Sequence, residues 1–352
     1  MTPSAAIAVA AVGAGVGWWW LWRRARFVRL PAPARPLQHT PDGTVRGVSF
    51  PAEDGTRLDG WLFLPNVPNA PVVIMAPGLG GTKDGFLEPF ARCFAAHGIA
   101  ALAFDYRCFG GSEGEPRHWV DPVRHRRDYE AALAFVRAEL AAEVDASRVA
   151  LWGSSFSGGT ALVTAADHPD VRALVVQCPY LQTPPALQPR GVALARFVFW
   201  TTLDLLRVLP PIYVPIFGRP GEWAFAPSAE NPSVKDFDGP LGAPIWRALP
   251  KPALGGWENR MLARVLAGID GFVPMEHVHR VTCPILFVAA RDDDMVPLAY
   301  VEQARARAGS SRKELVTFPC GHFDLYLGPH RAENARRQAE FLAEVLGGPV
   351  RA

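Results

Sequence analysis

Short apolar runs alternate with longer amphipathic segments along most of the chain. The runs at 71–76, 99–104, 173–177 and 284–290 are too short for ordinary helices, and their continuous apolar character predicts strands that are buried on both faces. The segment 121–142 instead has apolar residues at helical spacing. This alternation predicts an α/β fold in which helices cover both faces of a mostly parallel central sheet.

The alternation begins at about residue 44, where two strand-like runs flank the turn sequence Ala-Glu-Asp-Gly and predict a hairpin. It breaks at 181–280, a segment rich in proline and aromatic residues. We interpret that segment as a helical cap inserted over the carboxyl edge of the sheet, so that 44–180 and 281–352 form the core. An apolar patch in the cap favours either an apolar ligand or simple packing of the cap, and consists of Phe197, Phe199, Trp200, Leu205, Leu206 and Ile212.

The amino terminus has a different pattern. Residues 5–22 are uncharged and apolar, contain four tryptophans and are followed at once by arginines. That length just spans a bilayer as a helix, and the arginines favour the cytoplasmic side for the rest of the chain. We therefore expect a single-pass transmembrane anchor at 1–26 and a proline-rich linker at 27–43. A wrongly chosen start codon or a short amphipathic leader is the alternative.

Composition narrows the class of function. A net charge of +2 argues against a nucleic-acid-binding protein, and a hydrophobic share of 49% is enough for a full core. The cysteines lack paired metal-ligand spacing and are odd in number, which favours free thiols in a reducing compartment. They are Cys93, Cys108, Cys178, Cys283 and Cys320.

The most informative stretch is 149–159, in which an apolar run ends in Gly-Ser-Ser-Phe-Ser-Gly-Gly and a helical pattern follows. A sharp strand-to-helix turn strains its apical residue and requires small residues two positions before and two positions after it. Gly153 and Ser157 meet this requirement, so Ser155 is the predicted nucleophile. Serine stands here where the usual G-x-S-x-G pattern ends in glycine. A serine- and glycine-rich loop that caps a helix is the alternative.

A serine hydroxyl needs an adjacent base, and the base needs an acid that orients it. Among the nine histidines, His322 follows a predicted carboxyl-terminal strand, from which a loop can bring it over the turn. Three aspartates follow the strand at 284–290. Asp293 is the predicted acid, judged by its distance from the Val-Pro pair that starts the next element. Asp292 and Asp294 are the alternatives, and we otherwise expect them to be a solvated charge and a helix N-cap.

The order Ser155, Asp293, His322 is that of α/β-hydrolases. From about residue 44 to 347, apart from the cap, the chain resembles the α/β-hydrolase superfamily. The resemblance rests on Pro-Gly-Leu-Gly-Gly at 77–81, Asp-Tyr-Arg-Cys-Phe-Gly-Gly-Ser at 105–112, the serine turn, the Asp293 loop and Gly-His-Phe at 321–323. Within the superfamily the chain is similar to the dienelactone-hydrolase and acyl-peptidase-like branch, and to polyketide-tailoring thiohydrolases and acyltransferases.

This resemblance implies an oxyanion hole formed by the backbone N–H groups of Leu79 and Phe156. It implies a serine hydrolase that cleaves carboxylic esters or thioesters through an acyl-enzyme on Ser155 and needs neither metal nor organic cofactor. The apolar patch of the cap, and not the resemblance, favours an apolar acyl group. Two alternatives stay open: an acyltransferase that uses the same three residues, and a non-catalytic binding protein on the same fold.

Overall fold

The computed structural model describes residues 40, 43–184, 188, 191–207, 211–231, 257–269 and 271–347. The predicted anchor at 1–26 lies outside these residues, as do nearly all of the linker and part of the cap. Among the described residues, no helix has both the length and the hydrophobicity that a bilayer span requires.

One sheet of eight strands forms the centre of the fold, in the order β1-β2-β4-β3-β5-β6-β11-β12. Their bounds are β1 Val45–Pro51, β2 Arg57–Phe63, β3 Ala70–Ala76, β4 Ala100–Phe104, β5 Val144–Ser154, β6 Ala173–Gln177, β11 Ile285–Ala290 and β12 Lys313–Phe318. β1 and β2 form the predicted hairpin, β2 also pairs antiparallel with β4, and all other neighbouring strands are parallel. The prediction of a mostly parallel sheet is confirmed.

Helices cover both faces of the sheet. They are α1 Lys83–Ala96, α2 Pro122–Ala138, α3 Phe156–Asp167, α6 Leu298–Arg307, α7 Asp324–Leu327 and α8 Arg331–Leu346. Side chains alternate along β3, so that Val72 and Ile74 pack in the same apolar cluster as α2 and α3 residues. Val73 and Met75 belong to the opposite cluster, together with residues of α1 and α8. Because both faces are covered, every residue of β3 is buried, as expected for a continuous apolar run.

Helix α2 is shorter than the sequence predicted. It begins where the Asp121 carboxylate accepts the N–H groups of Val123 and Arg124. It ends at Ala138 and not at residue 142, because the carbonyl of Leu140 accepts the N–H of Val144 and turns the chain into β5. Leu140 is nevertheless buried, so its apolar character signalled packing but not helix.

The cap contains strands as well as helices, which makes the prediction of a helical cap incomplete. The described part of the cap contains the helices α4 Gly191–Leu206 and α5 Val265–Ile269 and two 3-10 turns at Pro274–Glu276 and Val278–Arg280. Its short strands there are β7 Tyr213–Val214, β8 Phe217–Gly218, β9 Ala226–Pro227 and β10 Met261–Leu262. β7 pairs with β10, and β8 pairs with β9. Prolines at 211, 215 and 227 explain the difference, because they remove backbone donors and do not fit a helix interior.

Candidate active site

Ser155 occupies the turn between β5 and α3. Its backbone has φ 55° and ψ −122°, a strained conformation for a residue with a side chain. A Cβ added at Gly153 would lie 2.2 Å from the carbonyl oxygen of Ser157, so no larger residue fits there. The N–H of Ser155 donates to the carbonyl of Gln177 at 2.8 Å, which fastens the turn to the end of β6.

The departure of this turn from the glycine pattern has a structural explanation at Ser157. Its Oγ lies 2.8 Å from the carbonyl oxygen of Ala76 at the end of β3 and 2.9 Å from that of Ser154. The same Oγ accepts the N–H of Ser154 at 2.8 Å. A glycine would leave these groups without that partner, so serine ties the turn to the neighbouring strand.

His322 and Asp293 lie side by side. Nδ1 of His322 is 2.6 Å from Oδ2 of Asp293, and both side chains are buried. Oδ1 of Asp293 accepts the N–H groups of Met295 and Val296 at 2.9 and 2.8 Å. Burial opposes the charge on each partner, but the contact outweighs it, so that the pKa of His322 is raised and the pKa of Asp293 is lowered.

The two neighbouring aspartates differ from Asp293. Asp292 is exposed, as expected for a solvated charge. The expectation that a neighbour caps the following helix is wrong, because Pro297 occupies the N-cap position of α6. Asp294 instead accepts hydrogen bonds from the cap, from Oγ of Ser228 at 2.5 Å and from the N–H of Ala229 at 2.8 Å.

Ser155 and His322 line one small pocket of about 50 Å³, whose walls include Leu79, Trp257 and Tyr326. Ser155 and Leu79 also line a larger cavity of about 800 Å³ that extends under the cap. The predicted nucleophile therefore lies where the two spaces adjoin.

The loop after β3 passes directly over the serine turn. A Cβ added at Gly78 would lie 3.3 Å from Cβ of Ser155, so glycine permits a close approach of the backbone. Among the described residues, the N–H groups of Leu79 and Phe156 donate no hydrogen bond, which leaves both amides available to a ligand. Pro77 lines the same pocket at the start of this loop.

A buried polar network below the serine turn was not predicted from the sequence. Nε2 of Gln177 donates to Oγ of Ser154 at 3.0 Å, and that Oγ also contacts the hydroxyl of Tyr326. Oε1 of Gln177 accepts from Asn334 and Gln338 of α8 at 2.6 and 3.0 Å. The signal in the sequence that could have indicated this network is Gln177, a polar residue at the end of the otherwise apolar strand β6.

One group of three possible metal ligands occurs in the part of the chain that the structure describes. Ligand atoms of Cys178, Asp293 and His322 all lie within 4.8 Å of one another. Asp293 and His322 already share a hydrogen bond. Burial raises the pKa of the Cys178 thiol, which keeps it protonated and a poor metal ligand. The chemistry of this group thus fits a hydrogen-bonded cluster better than a metal centre.

Comparisons with known proteins give the family. A family model described as alpha/beta hydrolase fold matches residues 71–329. The quorum-quenching protein AidA of Acinetobacter baumannii is 30% identical over 306 residues, which are 85% of this chain and 94% of that protein. A thiohydrolase of Eupenicillium brefeldianum is 35% identical over 150 residues, 42% of this chain and 48% of its own length. Other relatives are named polyketide transferases.

Among solved structures, DcsB in complex with its substrate analogue superposes with a TM-score of 0.72 at 24% identity and covers 86% of this chain and 99% of DcsB. That likeness concerns the fold alone. The family model matches well over half of the chain, and AidA is similar along nearly its whole length. The chain therefore belongs to the α/β-hydrolase fold family.

Proposed function

We propose that this protein is a serine hydrolase that cleaves carboxylic esters or thioesters through an acyl-enzyme on Ser155. One observation carries the proposal: Ser155, at a strained turn, lines the same pocket as His322, and His322 is hydrogen-bonded to Asp293. A histidine held in this way is the usual base for a serine nucleophile. The names of the relatives favour a hydrolase or acyltransferase.

In the first step, Oγ of Ser155 attacks the substrate carbonyl carbon and its proton passes to Nε2 of His322. Asp293 orients the imidazole and stabilises its charged form. The N–H groups of Leu79 and Phe156 donate to the developing oxyanion, and each such donor contributes roughly 3 kcal/mol in serine enzymes. The carbonyl then re-forms, the C–O or C–S bond breaks, and His322 gives its proton to the leaving alkoxide or thiolate.

In the second step, His322 takes a proton from a water molecule, whose oxygen attacks the carbonyl carbon of the acyl-enzyme. The bond between that carbon and Oγ of Ser155 then breaks, Oγ takes the proton back from His322, and the carboxylic acid leaves. An alcohol or amine in place of that water would make the enzyme an acyltransferase with the same residues. The relatives named polyketide transferases support this second candidate. The partition of the acyl group between water and an added acceptor distinguishes the two.

The acyl group that we propose is apolar and medium to long. The cavity of about 800 Å³ beside Ser155 is lined by aromatic and aliphatic side chains, among them Phe156, Phe197, Trp223 and Phe225. Apolar cavities of this size favour apolar ligands that a few polar groups orient. The pocket of about 50 Å³ would then receive a small leaving group.

We also propose attachment to the cytoplasmic face of a membrane through residues 5–22, which lie outside the described residues. The exposed apolar side chains of α4 support it, because they would favour a nearby lipid surface. They include Val192, Leu194, Val198, Phe199, Leu205 and Leu206, which are between 44% and 78% exposed. Fractionation of lysed cells tests this part: recovery of the full chain in the soluble fraction would contradict it.

A fluorophosphonate probe tests the catalytic proposal, because it reacts with activated serines. We expect a single adduct on Ser155 in the full chain, located by peptide mass mapping. Labelling should be lost in Ser155→Ala and His322→Ala, and retained in the control Ser147→Ala, which removes an exposed serine far along β5. Turnover of nitrophenyl esters should fall about 10⁴-fold or more in Ser155→Ala.

Three outcomes would overturn the proposal. A folded protein that takes up no label would favour a binding protein on this fold. Label on a different serine would mean that Ser155 is not the nucleophile. Retention of full activity by His322→Ala would remove the assigned base.

A further inference from the structure

A single turn of the cap contacts both loops that carry the proposed acid and base. The turn comprises residues 228–231 and follows β9; we call it the cap turn. Its Ser228 and Ala229 donate to the carboxylate of Asp294, the residue that directly follows Asp293. Its next residue, Glu230, contacts the loop that carries His322. The acid loop and the base loop are thus joined by one segment from outside the sheet.

Glu230 makes the contact to the histidine loop through its carboxylate. Oε1 accepts the N–H of His322 at 3.0 Å, and Oε2 accepts the N–H of Phe323 at 3.2 Å. A Cβ added at Gly321 would lie 2.1 Å from Oε1 of Glu230, so the carboxylate lies directly against the backbone there. Two N–H groups that point to one carboxylate fix the direction in which the His322 side chain leaves the loop.

The cap turn is itself held firmly. Nδ2 of Asn231, which is buried, donates to the carbonyls of Ala226 and Gly218 at 2.8 and 3.2 Å. The N–H of Glu230 donates to Oγ of Ser228 at 3.1 Å. The position of Glu230 is therefore set by the cap strands β8 and β9 and not by the histidine loop alone.

We propose that Glu230 is a positioning residue, through which the cap turn holds His322 in its working orientation beside Asp293. This rests on the proposed function, because it assigns a task to the same histidine. If the cap turn is displaced, His322 loses this support and is no longer held beside Asp293. The proposed triad is therefore complete only when the cap turn contacts the His322 loop.

The charge of Glu230 gives this role a measurable signature. Among the described residues, the titratable groups near the imidazole of His322 include Asp293, Glu230, Asp294, Cys178 and Tyr326. Burial opposes protonation of His322, but the carboxylates, with Asp293 first, raise its pKa. Because a general base must be neutral, activity appears as pH rises through that pKa. This rise of activity with pH is the acid limb of the pH profile. Removal of one nearby negative charge lowers the pKa of His322 and moves the acid limb to lower pH.

The test compares Glu230→Ala, Glu230→Gln and the matched control Glu302→Gln, which removes the same charge from an exposed position on α6. The kinetic constants of the full chain for a nitrophenyl ester are measured between pH 5 and pH 9. We expect Glu230→Ala to lower kcat about 10- to 100-fold with little change in KM, because two charged hydrogen bonds to the loop are lost. Glu230→Gln should lose less activity and shift the acid limb downward by about half a pH unit.

The outcomes separate this inference from the proposed function. Should wild type be labelled on Ser155 while both Glu230 variants match Glu302→Gln in rate and pH profile, the positioning role is overturned and the hydrolase stands. A lower rate with an unmoved acid limb in Glu230→Gln would also overturn it, since a general loss of structure has that effect. If Glu230→Ala does not fold, the comparison of Glu230→Gln, whose side chain has the same size as that of glutamate, with Glu302→Gln decides between these outcomes. An unlabelled wild type overturns both.

Discussion

The strands below Ser155 and the cap above it are built differently. All residues of β3 and β6 are buried, and the turn that carries Ser155 is tied to both strands by short hydrogen bonds. In α4, among the residues whose side chains are described, only Phe197, Thr201 and Asp204 are buried, and six large apolar side chains are exposed. Ser155 therefore rests on fully packed strands, whereas α4 contacts the rest of the molecule along one narrow stripe.

This difference assigns different tasks to the two regions. A strained backbone persists only when its surroundings determine it, and the neighbours of Ser155 provide that constraint. A helix that is held by few contacts can open locally, and α4 would then control which molecules reach Ser155. The site would then combine a fixed nucleophile with a base, His322, whose loop is shared between the two regions through Glu230.

The largest expected effect is the loss of a buried ion pair in the core. Lys83 begins α1, is fully buried, and lies 2.6 Å from Asp105 and 2.5 Å from Asp59. Lys83→Met would leave the fully buried Asp105 carboxylate without its cation. We expect the free energy of unfolding to fall by about 3 to 5 kcal/mol, measured by urea denaturation of the full chain.

The matched control is Arg336→Ala, which breaks exposed pairs with Glu333 and Glu340 on α8. Its expected cost is much smaller, because water screens exposed charges. Equal losses in the two variants would contradict the view that the stability of the region beside Ser155 depends on buried charges. The difference in stability between the strands below Ser155 and the cap would then have to rest on apolar packing alone.

A smaller and more local effect is expected in the cap. Asp204 of α4 accepts Nε and Nη2 of Arg264 at 2.7 and 3.0 Å, and the N–H groups of Arg264 and Ile212 at 3.0 and 3.1 Å. Asp204→Asn replaces one carboxylate oxygen by an NH2 group, which cannot accept a hydrogen bond from the N–H donors that face it. Local opening of α4 should become easier by about 1–3 kcal/mol, seen as faster amide hydrogen exchange in α4 with unchanged exchange in β3.

The control for this prediction is Asp170→Asn, which weakens an exposed pair with Arg137 and should leave exchange in α4 unchanged. If Asp204→Asn accelerates exchange in β3 as much as in α4, the cap and the sheet open as one unit. The cap would then not act as a separate gate over Ser155.

How well the sequence predicts a contact in this molecule depends on how many positions separate the two residues along the chain. The serine turn was predictable because strand, small flanking residues and helix are neighbours in the chain, and Asp293 was indicated by its spacing from the next element. The contacts of the cap turn were not predictable, because Glu230 and His322 are 92 positions apart and Ser228 and Asp294 are 66 positions apart. No local pattern encodes such pairs.

The motif at 105–112 gives a second example. It supported the family resemblance, but the sequence did not give its physical purpose. Asp105 binds Lys83 and accepts the N–H of Gly111 at 2.9 Å, and Arg107 binds Asp128 at 2.6 Å. These residues stabilise the core next to the site and do not line the pockets described beside Ser155. A motif can therefore mark a family through its packing and not through its chemistry.

The smallest expected effect concerns substrate choice in the cap cavity. Phe197 is 4% exposed, lines the cavity of about 800 Å³ and has its ring 5.7 Å from that of Trp223. Phe197→Ala enlarges the space beside Ser155 and should favour longer acyl chains. We expect the ratio of kcat/KM for a dodecanoate over a butanoate nitrophenyl ester to rise about 10-fold.

Phe199→Ala is the matched control, because it removes the same side chain from an exposed position of α4 that does not line this cavity. The ratio should stay as in wild type there. A rise in both variants would point to a general loosening of α4 and not to cavity volume. An unchanged ratio in Phe197→Ala would mean that the acyl chain binds elsewhere. In that case, the cap would control access to Ser155 without selecting substrates by the length of their acyl chain.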